Sequence, residues 1–463
     1  MVFSSIEFLL WFLPVFLILY AITPNKIKNV TLVSGSLIFY ALGNPAWLLI
    51  FMVSVILNYY AGQHLTKLTQ KGKKRQWQIR RQEKRCRRLL VAAIIGNIGV
   101  LALFKFIPGL GDLPPGVSFY TFQVLSYLID VYRGEERKEV SFLRFATYIV
   151  MFPQLMSGPI VLYGEVRKEL SHREFTAMGL QEGLKVFTVG LAAKVLLADR
   201  IGILWQEVQI TGFESISTPL AWMAAVAFSL NLYFDFYGYS LMAVGLGRML
   251  GFELPENFRE PYMAHSVRDF YRRWHITLGR WFRRYVYIPL GGSRRGEFRT
   301  VCNLLAVWLL TAIWHGGTAN YIVWGILLFL LIALERQAEI RGISKVFSKG
   351  FLKAVPHLYL WAVIPVTWMC FAIADMSQLQ VYLGRMFGMV EGICVNYGDW
   401  RKALGTYWYL FAAGFAACTP AAKRLFHKWK DRLPGMLALA ALFWLCVWRL
   451  QVEGLNPFRY FYF

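Results

Sequence analysis

Acidic residues are scarce in this sequence. Its 463 residues include 27 Asp and Glu against 50 Lys and Arg, a formal net charge of +23. Hydrophobic residues make up 57% of the chain, whereas soluble proteins are about 45–50% apolar. The basic residues lie between hydrophobic runs, as in the cytoplasmic loops of membrane proteins. We therefore predict a protein embedded in membrane lipids, with no nucleic-acid partner.

Motifs for metal binding and for several enzyme classes are missing. The chain has no HExxH, GxSxG, P-loop or nucleotide-binding GxGxxG motif. The six cysteines form no CxxC pair, and we interpret them as small buried hydrophobic residues. They are Cys86, Cys302, Cys370, Cys394, Cys418 and Cys446. These absences disfavour a zinc site, a disulfide framework, a serine hydrolase, an ATPase and a Rossmann enzyme. We expect no metal and no bound cofactor.

Hydrophobic runs of roughly 17–22 residues, long enough to cross a bilayer, recur along the whole chain. The approximate spans are 5–22, 28–43, 46–61, 89–106, 115–131, 179–198, 219–236, 300–316, 318–335, 356–374, 406–421 and 433–450. We predict an all-α polytopic membrane protein with about 11–12 transmembrane helices, folded as one domain over residues 1–463.

Three further segments do not read as simple spans. Residues 142–160 and 238–252 are apolar but interrupted by Pro or Gly, which predicts re-entrant or broken helices. Residues 266–285 predict one amphipathic helix in the inner membrane interface. A purely structural anchor is the alternative to a catalytic role for this helix. Its apolar face contains Val267, Phe270, Tyr271, Trp274, Leu278, Trp281 and Phe282.

The basic loops indicate the orientation. The segment 67–88 is the most basic stretch and should stay in the cytoplasm. Counting spans from it places 133–139, 254–299, 336–353 and 423–432 on the same side. Both termini are then expected outside.

Two histidines are candidates for chemistry. His315 lies between two predicted spans, where an ionisable group is costly unless it has a partner or a function. A neutral imidazole accepts a proton from a hydroxyl near physiological pH, and Gly316 and Gly317 would let substrate approach the backbone. A helix-capping or interfacial histidine is the alternative. His275, on the predicted amphipathic helix, is a weaker signal by itself.

Polar residues inside the predicted spans are the next candidates. Asn231 and Asp235 are four residues apart and share one helical face, where a carboxylate must meet a cavity or a partner. Functional and structural roles remain equally open for them. For Lys185 and Lys194 we expect side chains that reach opposite membrane interfaces.

At these residues the sequence resembles the membrane-bound O-acyltransferase family, and in particular its bacterial branch that acetylates alginate-like polysaccharides. The similar segments occur in the family's order over most of the chain: LPPGVSFYTFQVLSYLIDVYRG (113–134), FPQLMSGPI (152–160), YFDFYGYSLMAVGLGRMLGFELPENFREPY (233–262), DFYRRWHITLGRWFRRYVYIPLGGSR (269–294), NLLAVWLLTAIWHGG (303–317) and NPFRYFYF (456–463). Two departures are Leu241, where the family often has a carboxylate, and CFAIADMSQ (370–378), which lacks an arginine common in relatives.

The resemblance implies a helical bundle around a central channel in the bacterial cytoplasmic membrane. It implies that His315 is the family's essential histidine and that His275 is its second retained one. An acyl-thioester donor, acetyl-CoA or an acyl carrier, would enter from the cytoplasm and acylate a polysaccharide or a separate extracytoplasmic acetyltransferase of the SGNH type. Supporting or tunnel-lining residues are then expected to be Trp314, Trp274, Asp235, Asn231, Gly316, Gln154, Gly158 and Pro159.

Two other functions compete with acetyl transfer. Transfer of D-alanine or another acyl group to a cell-wall polymer would use the same machinery. A transporter of a lipid-linked glycan would show broken helices in matching halves, and 142–160 and 238–252 are not clearly matched.

Overall fold

The computed structural model describes residues 1–69, 76–107, 113–136, 139–156, 158–342, 352 and 354–453. Helices dominate, and no strand occurs within these ranges. The predicted motif at 456–463 lies outside the described residues. The helices are α1 (Leu13–Ile22), α2 (Lys28–Gly43), α3 (Leu48–Thr69), α4 (Gln76–Phe106), α5 (Val117–Arg133), α6 (Phe142–Val150), α7 (Phe152–Leu155), α8 (Tyr163–Ser171), α9 (Ala177–Ala192), α10 (Asp199–Thr211), α11 (Thr218–Met249), α12 (Val267–Arg273), α13 (Ile276–Phe282), α14 (Glu297–His315), α15 (Ala319–Ile340), α16 (Val355–Ala372), α17 (Met376–Met386), α18 (Asp399–Ala417), α19 (Pro420–Trp429) and α20 (Leu433–Glu453).

Seven helices in the described part of the chain are long and apolar enough to cross a membrane. They are Pro45–Thr69, Gln78–Phe106, Thr218–Met249, Glu297–His315, Ala319–Ile340, Val355–Ala372 and Leu433–Val452. Other predicted spans are helical but shorter, such as α2 with 16 residues and α5 with 17. The all-α polytopic class is confirmed, whereas the count of about 11–12 spans stays a prediction.

The described parts of the basic segment at 67–88, residues 67–69 and 76–88, are helical. Helix α3 continues to Thr69, and α4 begins at Gln76 and runs for 31 residues. The predicted span at 89–106 is therefore the second half of a longer helix, whose first turns carry the basic residues.

The chain divides into two compact units, and the first contains Met1–Thr188 and Tyr239–Pro255. Its core includes the fully buried rings of Phe3, Phe8 and Phe152, which contact one another at centroid distances of 5.1–6.3 Å. The interruption predicted at 142–160 is confirmed, because α6 ends at Val150 and the four-residue α7 follows Met151.

The second predicted interruption, at 238–252, is wrong. Helix α11 runs without a break from Thr218 to Met249. Its glycines serve close packing: a Cβ at Gly238 would lie 2.6 Å from the carbonyl oxygen of Gly190, and one at Gly245 would lie 2.6 Å from that of Gly183. The backbone hydrogen bonds of the helix persist, so glycine here permits contact and does not end the helix.

The second unit contains Val189–Gly238 and Glu256–Arg449. The single amphipathic helix predicted at 266–285 is wrong, since the chain breaks between α12 and α13. His275 at the break has a φ of 47°, which a helix cannot continue through. The apolar face is buried in protein: Phe270 is 0%, Trp274 4% and Trp281 6% exposed. These side chains are core residues and not lipid anchors.

Candidate active site

His315 is the last residue of α14. The helix ends because the next two residues, Gly316 and Gly317, take positive φ values of 150° and 69°. Their amides close the end by donating to the carbonyls of Ile313 and Ala312. A Cβ at Gly316 would lie 2.8 Å from the Tyr321 ring, so this position needs glycine for both conformation and space.

Aromatic rings surround the His315 imidazole. The ring centroids of Trp314, Phe371 and Trp324 lie 4.6, 5.0 and 5.3 Å from that of His315. His315 itself is only 4% exposed. Such surroundings exclude bulk water and strengthen every polar interaction inside them.

His275 is held at the break between α12 and α13. Its Nδ1 lies 3.1 Å from Oδ1 of Asn257, and the edge of Phe236 meets its ring at a centroid distance of 4.8 Å. The side chain is 3% exposed, and burial lowers the pKa of His275 to about 3. His275 is therefore neutral at physiological pH.

One cavity of about 540 Å³ in the second unit brings both histidines together. Trp274, Trp324 and Trp368 also line it. The Nε1 of Trp324 is buried and has no hydrogen-bond partner among the described residues. An N–H group left in that state is costly, and it is a donor available to a bound molecule. Trp324 was not among the residues predicted from the sequence, although it lies nine residues after His315.

The lining of this cavity is basic. Arg268, Arg272, Arg283 and Arg336 line it, and the described residues contribute no Asp or Glu to it. Arg272 and Arg283 are exposed, and Arg268 pairs with Glu339 at 2.5 Å. The cavity can attract an anionic ligand to its charged side, while the histidines lie among its aromatic walls.

Trp314 and Gly316 are next to the cavity but do not line it. The centroid of the Trp314 ring lies 6.5 Å from that of His275 and 4.6 Å from that of His315, so this ring is close to both imidazoles. Within the described residues, no three His, Cys, Asp or Glu side chains group closely enough to hold a metal ion.

Asp235 and Asn231 face another part of the second unit. Asp235 pairs with Lys194 at 2.8 Å, and Asn231 donates from Nδ2 to the carbonyl of Ala198 at 2.7 Å. The expected exposure of Lys194 at a membrane interface is wrong, because its side chain is 3% exposed and is held by two carboxylates. Sequence reasoning missed this because the partners are up to 41 residues apart.

Gln154, Gly158 and Pro159 lie in the first unit and are absent from the lining of the cavity. Gln154 is fully buried, and its Nε2 donates to the carbonyl of Tyr148. A Cβ at Gly158 would lie 2.5 Å from Cα of Gln154. Gly158 therefore packs closely against α7, and a tunnel-lining role for the three residues stays a prediction.

Sequence comparison extends these observations. The model of the family described as MBOAT, membrane-bound O-acyltransferase family, matches residues 39–374. That range contains His275, His315 and every residue that lines the cavity.

Three relatives illustrate the similarity of this sequence to known proteins. Probable alginate O-acetylase AlgI of Pseudomonas fluorescens is 34% identical over 404 residues, 86% of this chain and 77% of that protein. Peptidoglycan O-acetyltransferase of Helicobacter pylori is 30% identical over 444 residues, 84% of this chain and 80% of that protein. Teichoic acid D-alanyltransferase of Bacillus subtilis is 27% identical over 258 residues, 50% of this chain and 64% of that protein.

Proposed function

Because this chain belongs to the membrane-bound O-acyltransferase family and is an O-acyltransferase, we propose that the group it moves is acetyl. The donor is a cytoplasmic thioester, and the acceptor is a hydroxyl of an extracytoplasmic polysaccharide or a partner acetyltransferase of the SGNH type. The protein works in the bacterial cytoplasmic membrane with both termini outside. All 463 residues serve this one activity as a single domain.

The observation that carries this proposal is the shared cavity of His315 and His275. Acyl transfer to a hydroxyl needs a base for the attacking oxygen and stabilisation of charge on the thioester carbonyl. His315 is the base, and the unpartnered Nε1–H of Trp324 is the donor to the carbonyl oxygen. The ring centroids of these two residues are 5.3 Å apart, and both side chains line the cavity in which the reacting group would lie.

The transfer requires no further co-reactant. The hydroxyl oxygen attacks the thioester carbonyl carbon, and His315 takes the hydroxyl proton. The carbonyl double bond then re-forms and the carbon–sulfur bond breaks, which leaves the ester. The sulfur takes the proton back from His315 and leaves as a free thiol. The dry aromatic surroundings protect the thioester from hydrolysis during these steps.

The arginines support a donor that carries phosphate. Acetyl-CoA and an acyl carrier protein both present a phosphorylated pantetheine arm, and guanidinium groups bind phosphate through paired hydrogen bonds. Arg272 and Arg283, on the exposed side of the cavity, would hold the phosphate while the thioester reaches the histidines.

The decisive experiment replaces His315 with Gln, which keeps approximate size and hydrogen bonding but cannot accept the proton. General-base help is worth about 10²–10⁴-fold, so acetyl per sugar in the exported polymer should fall to background. Total polymer should remain unchanged. The matched control is His427→Gln, because His427 is exposed in the same unit. Full acetylation in the His315→Gln strain would refute the assignment.

The same cultures test the competing functions. A glycan transporter would lose exported polymer while the remainder kept its acetyl content. Transfer of D-alanine would appear as free D-alanine in place of acetate after alkaline hydrolysis of the polymer. Radiolabelled thioesters supplied to reconstituted vesicles identify the donor directly.

A further inference from the structure

The side chain of Asn257 connects the chain before α12 to the break at His275. Asn257 is 2% exposed. Its Oδ1 is within hydrogen-bond distance of three groups: the backbone N of Thr277 at 3.2 Å, Oγ1 of Thr277 at 2.9 Å and Nδ1 of His275 at 3.1 Å. One amide oxygen thus serves the first residues of α13 and the imidazole together.

The orientation of this amide follows from its neighbours. The oxygen and nitrogen of an Asn side chain are told apart only by their partners. The backbone N–H of Thr277 can only donate, so the atom that faces it must be the acceptor oxygen. A flipped amide would place its NH₂ group against this N–H, and two donors would then face each other.

The protonation of His275 follows in turn. Because Oδ1 of Asn257 only accepts, the proton on the contact must belong to Nδ1 of His275. In a neutral imidazole the other nitrogen, Nε2, then carries a lone pair. Burial keeps this ring neutral by lowering the pKa of His275 to about 3.

Backbone hydrogen bonds hold the segment of His275 against the segment of Asn257. The amide of Ile276 donates to the carbonyl of Asn257, and that of Arg259 donates to the carbonyl of Arg273, both at 2.9 Å. The left-handed backbone of His275 lies between these two bonds. The main chain therefore holds the segments that carry Asn257 and His275 next to each other.

We propose that Asn257 is a positioning residue that holds His275 in its Nδ1–H tautomer, so that Nε2 accepts a hydrogen bond from an O–H or N–H group of the substrate. His315 then remains the proton acceptor, while His275 orients the substrate in the same cavity. The contact between Nε2 of His275 and substrate rests on the function proposed above, whereas the assignment of the tautomer does not.

Nitrogen-15 NMR tests the tautomer without any assay of activity. The full-length chain is labelled in its histidines and reconstituted in nanodiscs, and the His275 signals are identified by their loss in His275→Gln. We expect a protonated Nδ1 and an unprotonated Nε2. An unprotonated Nδ1 with a protonated Nε2 would overturn the proposal.

Asn257→Asp provides a second test, because the substitution should change the pH dependence of activity only if Asn257 acts through His275. Aspartate still accepts from Nδ1, but its negative charge stabilises the imidazolium and raises the pKa of His275. The ring contacts that the structure shows for His275, with Phe236, Trp314 and Asn257, are all with neutral groups. The charged residues that line the cavity are Arg268, Arg272, Arg283 and Arg336. Protonated His275 cannot accept at Nε2, so activity should fall as pH drops through about 7 to 5.

Two further variants complete the comparison. Asn257→Ala removes the acceptor, so activity should fall by roughly 10- to 100-fold through misplacement without a new acid limb. Asn396→Asp makes the same substitution at an exposed position and should keep the native pH profile.

If Asn257→Asp follows the Asn396→Asp profile, the positioning role is refuted. If no thioester is ever transferred but the NMR result holds, the proposed function fails and the tautomer assignment stands.

Discussion

Lys194 and Asp235 form an ion pair in the interior of the second unit, with Nζ and Oδ1 2.8 Å apart. Their side chains are 3% and 1% exposed, and Asp199 joins the pair at 2.5 Å from the same ammonium. Lys194 lies in the widened, π-helical turn Ala193–Ala198. The pair joins this turn to α11, and Phe236, the next residue of α11, supports the ring of His275.

Loss of Lys194 should destabilise the protein more than loss of Asp235. Lys194→Met leaves two carboxylates buried and should cost about 3–5 kcal/mol, the usual penalty for an uncompensated buried charge. Asp235→Asn should cost less, because Asp199 still holds the ammonium. Thermal unfolding in detergent, followed by tryptophan fluorescence, measures both. The exposed pair Arg259–Glu256 is the control, since Arg259→Met should cost below about 1 kcal/mol.

Trp324→Phe should lower the rate of transfer more than it lowers donor binding. The variant keeps the ring against His315 but removes the Nε1–H donor, and loss of one oxyanion donor costs about 10²–10³-fold in other acyl-transfer enzymes. The values of kcat and KM in vesicles separate the two effects. Trp408→Phe, at a 60% exposed position, is the control. An unchanged kcat in Trp324→Phe would exclude the donor role.

Gly316→Ala should inactivate the protein without unfolding it. The φ of 150° disfavours alanine, and the added Cβ would meet the Tyr321 ring. The end of α14 must shift, and small displacements of a catalytic group can cost about 10²-fold. Acetyl transfer and melting temperature are measured together. Gly405→Ala, where a Cβ meets nothing within 4 Å, should retain activity.

Replacing Trp274 and Trp281 with alanine should reduce stability and not membrane attachment. Both indoles are buried in protein, and removal of a buried Trp side chain costs about 3–5 kcal/mol. We expect less folded protein in the membrane fraction and a lower melting temperature. Protease cleavage within residues 266–285 of a protein whose melting temperature is unchanged would instead favour the anchor interpretation. Trp408→Ala tests an exposed indole in parallel.

Native Cys394 reports the predicted orientation. Cys394 is exposed and follows α16 on the side that the span count places outside. A membrane-impermeant maleimide should label it in intact spheroplasts, and Cys394→Ser should abolish that signal. Lys84→Cys, introduced in the Cys394→Ser and Cys302→Ser background, should be labelled only after permeabilisation. Labelling of positions 394 and 84 from the same face would contradict the span count.

The sequence alone determined the class of the protein and singled out His315 as a candidate for chemistry. Runs of apolar residues specify membrane helices because a bilayer satisfies no backbone hydrogen bond, and the structure has seven such helices in its described part. His315 was recognisable because an ionisable group between two spans is costly. Gly316 and Gly317 were noted because residues without a side chain allow close approach to the backbone.

Only the tertiary structure decided how these residues are arranged. Local pattern predicted one helix at 266–285, but the bonds from residues 257–259 to 273–277 hold His275 in a left-handed conformation. Gly238 and Gly245 appeared as helix breakers, yet packing against Gly190 and Gly183 made them contact points. Lys194 appeared to be an interfacial cation until Asp199 and Asp235 surrounded it. In each case the deciding partner is distant in sequence or belongs to another helix, and periodicity within one segment carries no information about it.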